Sequence, residues 1–452
     1  MAEFRMLSTS GILGYGYPEA SLERGIAMGL DAIGADAGST DPGPHYLGSG
    51  KPLNSRAATK RDLRLMLRAG VKHNLPVVVS SAGGGGGEPQ LQDLAEIVRE
   101  IAREDGLHFK LAMIHAEQEK SWVKERLAGG RIKPMRNAPK IDAATIDRAE
   151  RIVGCMGPEP FMAALDAGAQ VVISGRATDP APWAGAAMRA QMPAAPSWYA
   201  GKMLECGAAS AWPKGADCIH VTVSDDGVVC EPPNPERRCT LGSVANFALH
   251  ENSSPELFQE PGGLLDASKA TFEQMTDRAV RISGMEWRPD EAYTIKLEGA
   301  VLIGYRAITI CGTRDPGLIS QYDDYVDIVR RHVAEKVGDV GLSPESYNLQ
   351  FRAYGRNGVM AEREPYAGSG HELGILVEVL ADDQETANTV LSIARVNTLH
   401  NDFPGRLCKE GNMAFPFSPS DIACGPAYRF SVYHTVEPDD PLHMFPIEFE
   451  TV

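Results

Sequence analysis

From residue 6 to about residue 190 the chain repeats one unit: a short apolar run, a loop rich in Gly, Ser and Asp, then an amphipathic helical pattern. The runs are Met6–Thr9, Ala32–Asp36, Pro76–Ser81, Phe109–His115, Ile152–Met156 and Gln170–Ser174. They are continuous rather than alternating, as strands buried on both faces are. Leu91, Leu94, Val98 and Ile101 keep helical spacing, and Thr59 followed by Asp62 predicts a helix start before Leu63, Met66 and Leu67. Strand–helix alternation predicts a parallel sheet with right-handed crossovers, and six units suit an open sheet where a barrel needs eight. The expected class is therefore α/β, a mostly parallel, doubly wound, Rossmann-like N-terminal sheet.

After about residue 215 the pattern changes. Val221–Val223 and Val228–Cys230 flank Ser224-Asp225-Asp226-Gly227, a hairpin signal. Residues 293–298 and 347–352 alternate like half-buried antiparallel strands. Ile319, Tyr322, Val326, Val329 and Val333 mark one helical face, and Val390, Ile393, Ala394 and Asn397 another. This predicts three parts: an α/β domain over 1–215, an α+β domain over 216–400, and a Pro/Gly/aromatic segment over 401–452, pinned by Phe403, Met413, Phe415 and Phe417. The Lys/Arg-rich stretch 119–149 interrupts the first rhythm and reads as a solvated excursion.

The net charge of −16 excludes polyanion partners, so neither nucleic acid nor an anionic membrane is expected. No stretch approaches the roughly 20 apolar residues of a membrane span. Glu3, Arg5, Ser8, Thr9 and Ser10 interrupt any signal core. The eight Cys form no CxxC pair. A cytoplasmic location follows as the expectation, together with a homo-oligomer.

Chemistry is expected in the loops at the C-terminal strand ends. There lie Ser8, the acids Asp36 and Asp41 with Ser39 between them, Ser81, then His115 and Glu117 on one face of a strand, and Arg176 with Asp179. Asp36, Asp41, His115 and Glu117 are the candidate proton-moving residues. Gly83, Gly84 and Gly85 open a five-glycine run before a helix, where bare amides can cradle a carboxylate or a thioester carbonyl. No phosphate-loop Lys follows, and Glu88 repels phosphate. Arg176 is a carboxylate fork, with Asp179 as its structural alternative. Arg356 and His400 are candidates for closing the site from the second domain. No cofactor is certain. A divalent metal on the acids and His115 stays open.

Three stretches, VVVSSAGGGGGEPQLQDLAEIVREIA, VVISGRATDPAPW and LHENSSPELFQEPGGLLDASKATFEQMTDRAVRISG, resemble the acyclic terpene utilisation AtuA family. The similarity runs from residue 4 to about 300, and the loop Asp36–Asp41 departs from the family pattern. The resemblance implies a catabolic protein for small polar or branched acids or their coenzyme A thioesters, with a small companion subunit. Hydratase, dehydratase or isomerase chemistry, by proton abstraction and enolate stabilisation, suits the candidate residues. A thioester-binding subunit without catalysis and a metal-dependent hydrolase are the alternatives.

Overall fold

A computed structural model describes residues 2–250, 254–366, 368–407 and 409–452. Residues 251–253, within the third stretch quoted above, and Cys408 in the tail lie outside the described residues. The apolar runs become β1 (Phe4–Ser8), β2 (Ala32–Asp36), β3 (Val77–Ser80), β4 (Lys110–Ile114), β5 (Arg151–Cys155) and β6 (Val171–Ser174). Five of them pair in parallel, in the order β1-β2-β3-β6-β4. The sheet is extended antiparallel beyond β1 by β7 (Ile219–Ser224), β8 (Gly227–Glu231), β9 (Thr271–Gln274) and β10 (Val280–Ser283), in the order β9-β10-β8-β7-β1. The expectation of an α/β class is met as a large mixed sheet with a parallel centre.

Both faces of that centre are covered, which is why the runs are continuous. Leu7, Ile33, Val79 and Ile173 pack beneath Leu63, Met66, Leu91 and Val98. These helical residues lie on α1 (Arg56–His73) and α2 (Glu88–Asp105). Met6, Ala32, Val78 and Val172 face the other way, onto Phe161, Trp183 and Trp198. Trp183 and Trp198 lie on α3 (Ala181–Arg189) and α4 (Ala194–Leu204). The start of α1 differs from expectation. Ser55 caps it by accepting from the Ala58 amide at 3.3 Å, and Asp62 instead accepts the amides of Gly14 and Gly16.

The chain forms two compact units, 1–301 with 430–452, and 302–429. These bounds differ from those expected at 215 and 400. The hairpin β7–β8 joins the first sheet because Val221 and Val223 find their partners beside β1. β5 departs too: it pairs antiparallel with Lys296–Ala300, not within the parallel sheet. A continuous apolar run specifies burial but not strand direction. In the second unit, residues 305–313 pair with β11 (Leu373–Ala381), which pairs with Tyr347–Tyr354. Two helices, Tyr322–Asp339 and Gln384–His400, cover one face through Val329, Val333, Val390 and Ala394. The tail divides. Phe403 and Met413 are buried in the second unit's core, whereas Ile447–Thr451 returns to the first sheet as a strand antiparallel to β4.

No helix among the described residues is long and apolar enough to cross a membrane.

Candidate active site

Two groups of charged side chains gather where the parallel strands end, both within the first unit. The inner group centres on Arg176, two residues past β6 and 4% exposed. Its Nε donates to Glu298 at 3.1 Å. Its Nη1 donates to Asp179 at 3.0 Å, to the Ala177 carbonyl at 2.8 Å and to Ser81 Oγ at 3.1 Å. Ser81 is a non-glycine residue at φ 53°, a conformation that costs energy unless its surroundings impose it. Here its amide is held by the Gly175 carbonyl at 3.0 Å and its carbonyl by the Gly84 amide at 2.8 Å. Glu298 also binds Lys296 at 2.7 Å. Burial pushes the Glu298 carboxyl up, but Lys296 and Arg176 outweigh it and hold it down to about 2.

Asp36 belongs to the same region. Its Oδ1 accepts from Ser80 at 2.8 Å. Burial, followed by the nearby Asp179 charge, pushes its carboxyl well above the usual range, against the pull of Arg176. Lys202 and Glu205 pair at the end of α4, and Thr178 donates to Glu260 at 2.8 Å. Burial lifts Glu205 to about 8 and Glu260 to about 7. None of Lys202, Glu205, Glu260, Lys296 and Glu298 was expected from sequence. One signal was present: Lys202 and Glu205 stand three residues apart beside Trp198, Tyr199, Met203 and Leu204, the spacing of an ion pair on a buried helix.

The outer group centres on His115. Its Nδ1 lies 2.8 Å from Glu88 Oε2, and Gln92 Nε2 holds the other oxygen of Glu88 at 2.8 Å. Nε2 of His115 is buried with no hydrogen-bond partner among the described residues, and Glu448 Oε1 stands 3.6 Å away. His115 lines a cavity of about 390 Å³. One wall is Glu117, Glu119, Trp122 and Arg126; the other is Pro438, Asp439, His443, Met444 and Pro446. That volume falls within the roughly 300–1,000 Å³ of small-molecule sites.

The glycine run separates the groups. Gly86 accepts the Arg176 amide at 3.1 Å, and at φ 65° a Cβ there would lie 2.2 Å from the Arg176 nitrogen. Only glycine lets these backbones meet. The amides at the start of α2 are already used: Gly87 donates to Gln90 Oε1 at 2.9 Å and Glu88 to Glu117 Oε2 at 3.0 Å. The carboxylate expected at this helix N-terminus is thus the chain's own Glu117, whose carboxyl burial raises.

Of the expected residues, His115 and Glu117 therefore meet around Glu88, and Asp36, Ser81, Arg176 and Asp179 meet in the inner group. Arg176 is committed to Glu298 and Asp179, because a buried guanidinium left unpaired costs too much. It forms the structural pair rather than a carboxylate fork. Asp41 is exposed, and its amide is bound by Ser39 Oγ at 3.1 Å, a turn contact away from both groups. Ser8 donates to the Ser10 carbonyl at 3.3 Å. Gly83, Gly84 and Gly85 form the turn into α2, with Gly84 donating to Ser81 and the Gly83 carbonyl accepting from Leu53. Arg356 and His400 lie in the second unit. There Arg356 pairs with Asp323 and the His400 carbonyl accepts from Arg406 at 2.8 Å. No group of three or more His, Cys, Asp or Glu among the described residues is arranged to hold a metal, and His115 takes Glu88 as its partner instead.

A histidine oriented by a carboxylate at a cavity is the arrangement of an acid–base site. The family described as acyclic terpene utilisation family protein AtuA matches residues 56–417, and the chain belongs to that family. Membership places it broadly in catabolism. No curated protein and no solved structure matches the chain.

Proposed function

We propose that the chain is a proton-transfer enzyme, a hydratase, dehydratase or isomerase, acting on a small branched acid in activated form, such as a thioester. One observation carries this reading: Glu88 holds His115 by Nδ1 at the edge of the cavity, while Nε2 makes no hydrogen bond and has Glu448 Oε1 3.6 Å away. A carboxylate on Nδ1 favours the tautomer with its proton there, which leaves the Nε2 lone pair to accept one. A proton leaving the carbon next to the carbonyl passes to Nε2, and its electron pair moves onto the carbonyl oxygen. Return of that proton at another carbon isomerises the substrate; its transfer from Nε2 to a β-hydroxyl, which leaves as water as the electron pair returns from the carbonyl oxygen to form the double bond, dehydrates it. Access to Nε2 requires the Glu448 side chain, which is mostly exposed, to swing aside. Trp122, Met444 and the two prolines offer an apolar wall to a branched chain. In this reading the inner group supports the loop and does not clamp an enolate.

The test is solvent exchange. Purified protein incubated in D2O with 3-methylbutanoyl and 3-methylcrotonyl N-acetylcysteamine thioesters is expected to exchange protons beside the carbonyl or at the allylic carbon, read by NMR. His115→Ala should lower the rate about 10²–10⁴-fold, the usual worth of a positioned base, and Glu88→Gln should lower it less. Exchange by His115→Ala at the wild-type rate, or none by the wild type, overturns the proposal.

A further inference from the structure

The cavity beside His115 carries an unbalanced set of charges. Glu117 and Glu119 line one wall, and Asp439 and Asp440 the other. Glu88 and Glu448 stand at either side of the imidazole. Against these acids the lining supplies Arg126 and His443 besides His115. Arg126 is taken by Asp439, which it grips through two bonds, and its guanidinium lies over the Trp122 ring at 5.1 Å from the centroid. His443 faces Asp440 at 3.6 Å. Asp439 also binds Arg131, and Arg151 stands 3.7 Å from Glu117, so these cations are held by the chain's own carboxylates. A carboxylate or phosphate entering this space meets acids whose positive partners are already engaged.

The second wall is held in place at both ends. The His115 amide donates to the Pro446 carbonyl at 3.0 Å and Gln118 Nε2 to the Met444 carbonyl at 3.0 Å. Arg131 binds the Pro438 carbonyl at 3.2 Å. Between these anchors the lip of the cavity projects, with the His443 side chain 84% exposed. Residues 438–448 lie beyond the matched span 56–417.

We propose that this cavity discriminates against anions, so that an uncharged acyl derivative on a short apolar body enters and a free carboxylate does not, with Glu117 and Glu119 on one wall and Asp439 and Asp440 on the other doing the discriminating. The inference rests on the reading of this cavity as the substrate site, though not on the proton transfer. It chooses between the substrates left open above: the activated, neutral form enters and the free acid does not. Any polyanionic carrier attached to the acyl group stays outside the lip.

Three probes share one branched five-carbon body and differ in charge: 3-methylbutanamide, 3-methylbutanoate and 3-methylbutylamine. Each is titrated at millimolar concentration and pH 7.5 into the full-length protein, with binding read by ligand-observed NMR. The amide is expected to bind at least about tenfold more tightly than the carboxylate, the size of effect that a few partly exposed like charges exert. Asp439→Asn frees Arg126 and Arg131 and should strengthen carboxylate binding several-fold, narrowing that gap. Asp439 is largely exposed, so the variant is expected to fold, which a thermal melt checks. The amine, a cation among an excess of acids, is expected to bind at least as tightly as the amide. Carboxylate binding equal to or tighter than the amide, or no binding by any probe, overturns the inference. Failure of the exchange assay alongside amide selection would remove the proposed reaction and leave this inference standing.

Discussion

The inner and outer groups sit on either side of the same glycine loop and follow opposite rules. Around Arg176 the Nε and Nη1 donors are answered from within: Glu298, Asp179, Ser81 and a carbonyl take their hydrogen bonds. Around His115 one ring nitrogen is fixed by Glu88, and the other makes no hydrogen bond among the described residues and faces the Glu448 carboxylate at 3.6 Å. The two also differ in space, since the outer group opens on a cavity and the inner one is packed. Buried charges must be paired to exist at all, so abundance of charge at a strand end is weak evidence for catalysis. An oriented side chain with an unanswered atom is stronger evidence.

The largest effect that separates the two groups is on stability. Arg176→Leu leaves Glu298 buried with Lys296 as its remaining cation and Asp36 beside Asp179, so it should cost about 3–5 kcal/mol in denaturant unfolding. His115→Ala should leave the unfolding midpoint within about 1 kcal/mol of wild type while removing solvent exchange. If the two variants swapped these behaviours, the division would fail. Gly86→Ala strikes the wall between them. A Cβ 2.2 Å from the Arg176 nitrogen on a left-handed backbone should cost about 2–4 kcal/mol, measured the same way.

A smaller effect is in pH. Burial lifts Glu205 to about 8, far above the roughly 4.3 of an unfolded glutamate. The folded state therefore binds the extra proton across that window, and stability falls as pH rises from about 5 to 8. Glu298, held down to about 2, acts in a different window: its stabilisation is complete above its unfolded value and is lost as pH falls toward 2. Glu205→Gln should flatten the decline between pH 5 and 8, an effect of order 2 kcal/mol, and leave the acid limb unchanged. Unfolding midpoints taken at a series of pH values check this; an unaltered slope would mean that the inner group does not hold that proton.

Much of the fold was legible because burial on both faces writes itself as continuous apolar runs, and all six runs are strands. Direction was not legible. Ile152–Met156 looks like the others but its neighbour, Lys296–Ala300, lies far along the chain. The site divides in the same way. His115 and Glu117 could be placed on one side of the chain by alternation, although both lie past β4, which ends at Ile114, and Arg176 with Asp179 by spacing. Glu88, weighed only as a repellent to phosphate, proves to be the partner of His115, 27 positions away. Glu298 reaches Arg176 across 122 positions, and Glu448 comes from the far end of the chain. Such pairs are made by sheet order, which short-range periodicity does not encode.

The central claim is that Glu88 sets the tautomer of His115 and leaves Nε2 as the proton acceptor. Selective 15N labelling of histidine, with long-range 1H–15N correlation spectra on the wild type and on Glu88→Gln, reads that tautomer without any substrate. The account predicts that neutral His115 carries its proton on Nδ1 in the wild type and loses that preference in the variant. A neutral His115 protonated on Nε2 in the wild type would contradict it.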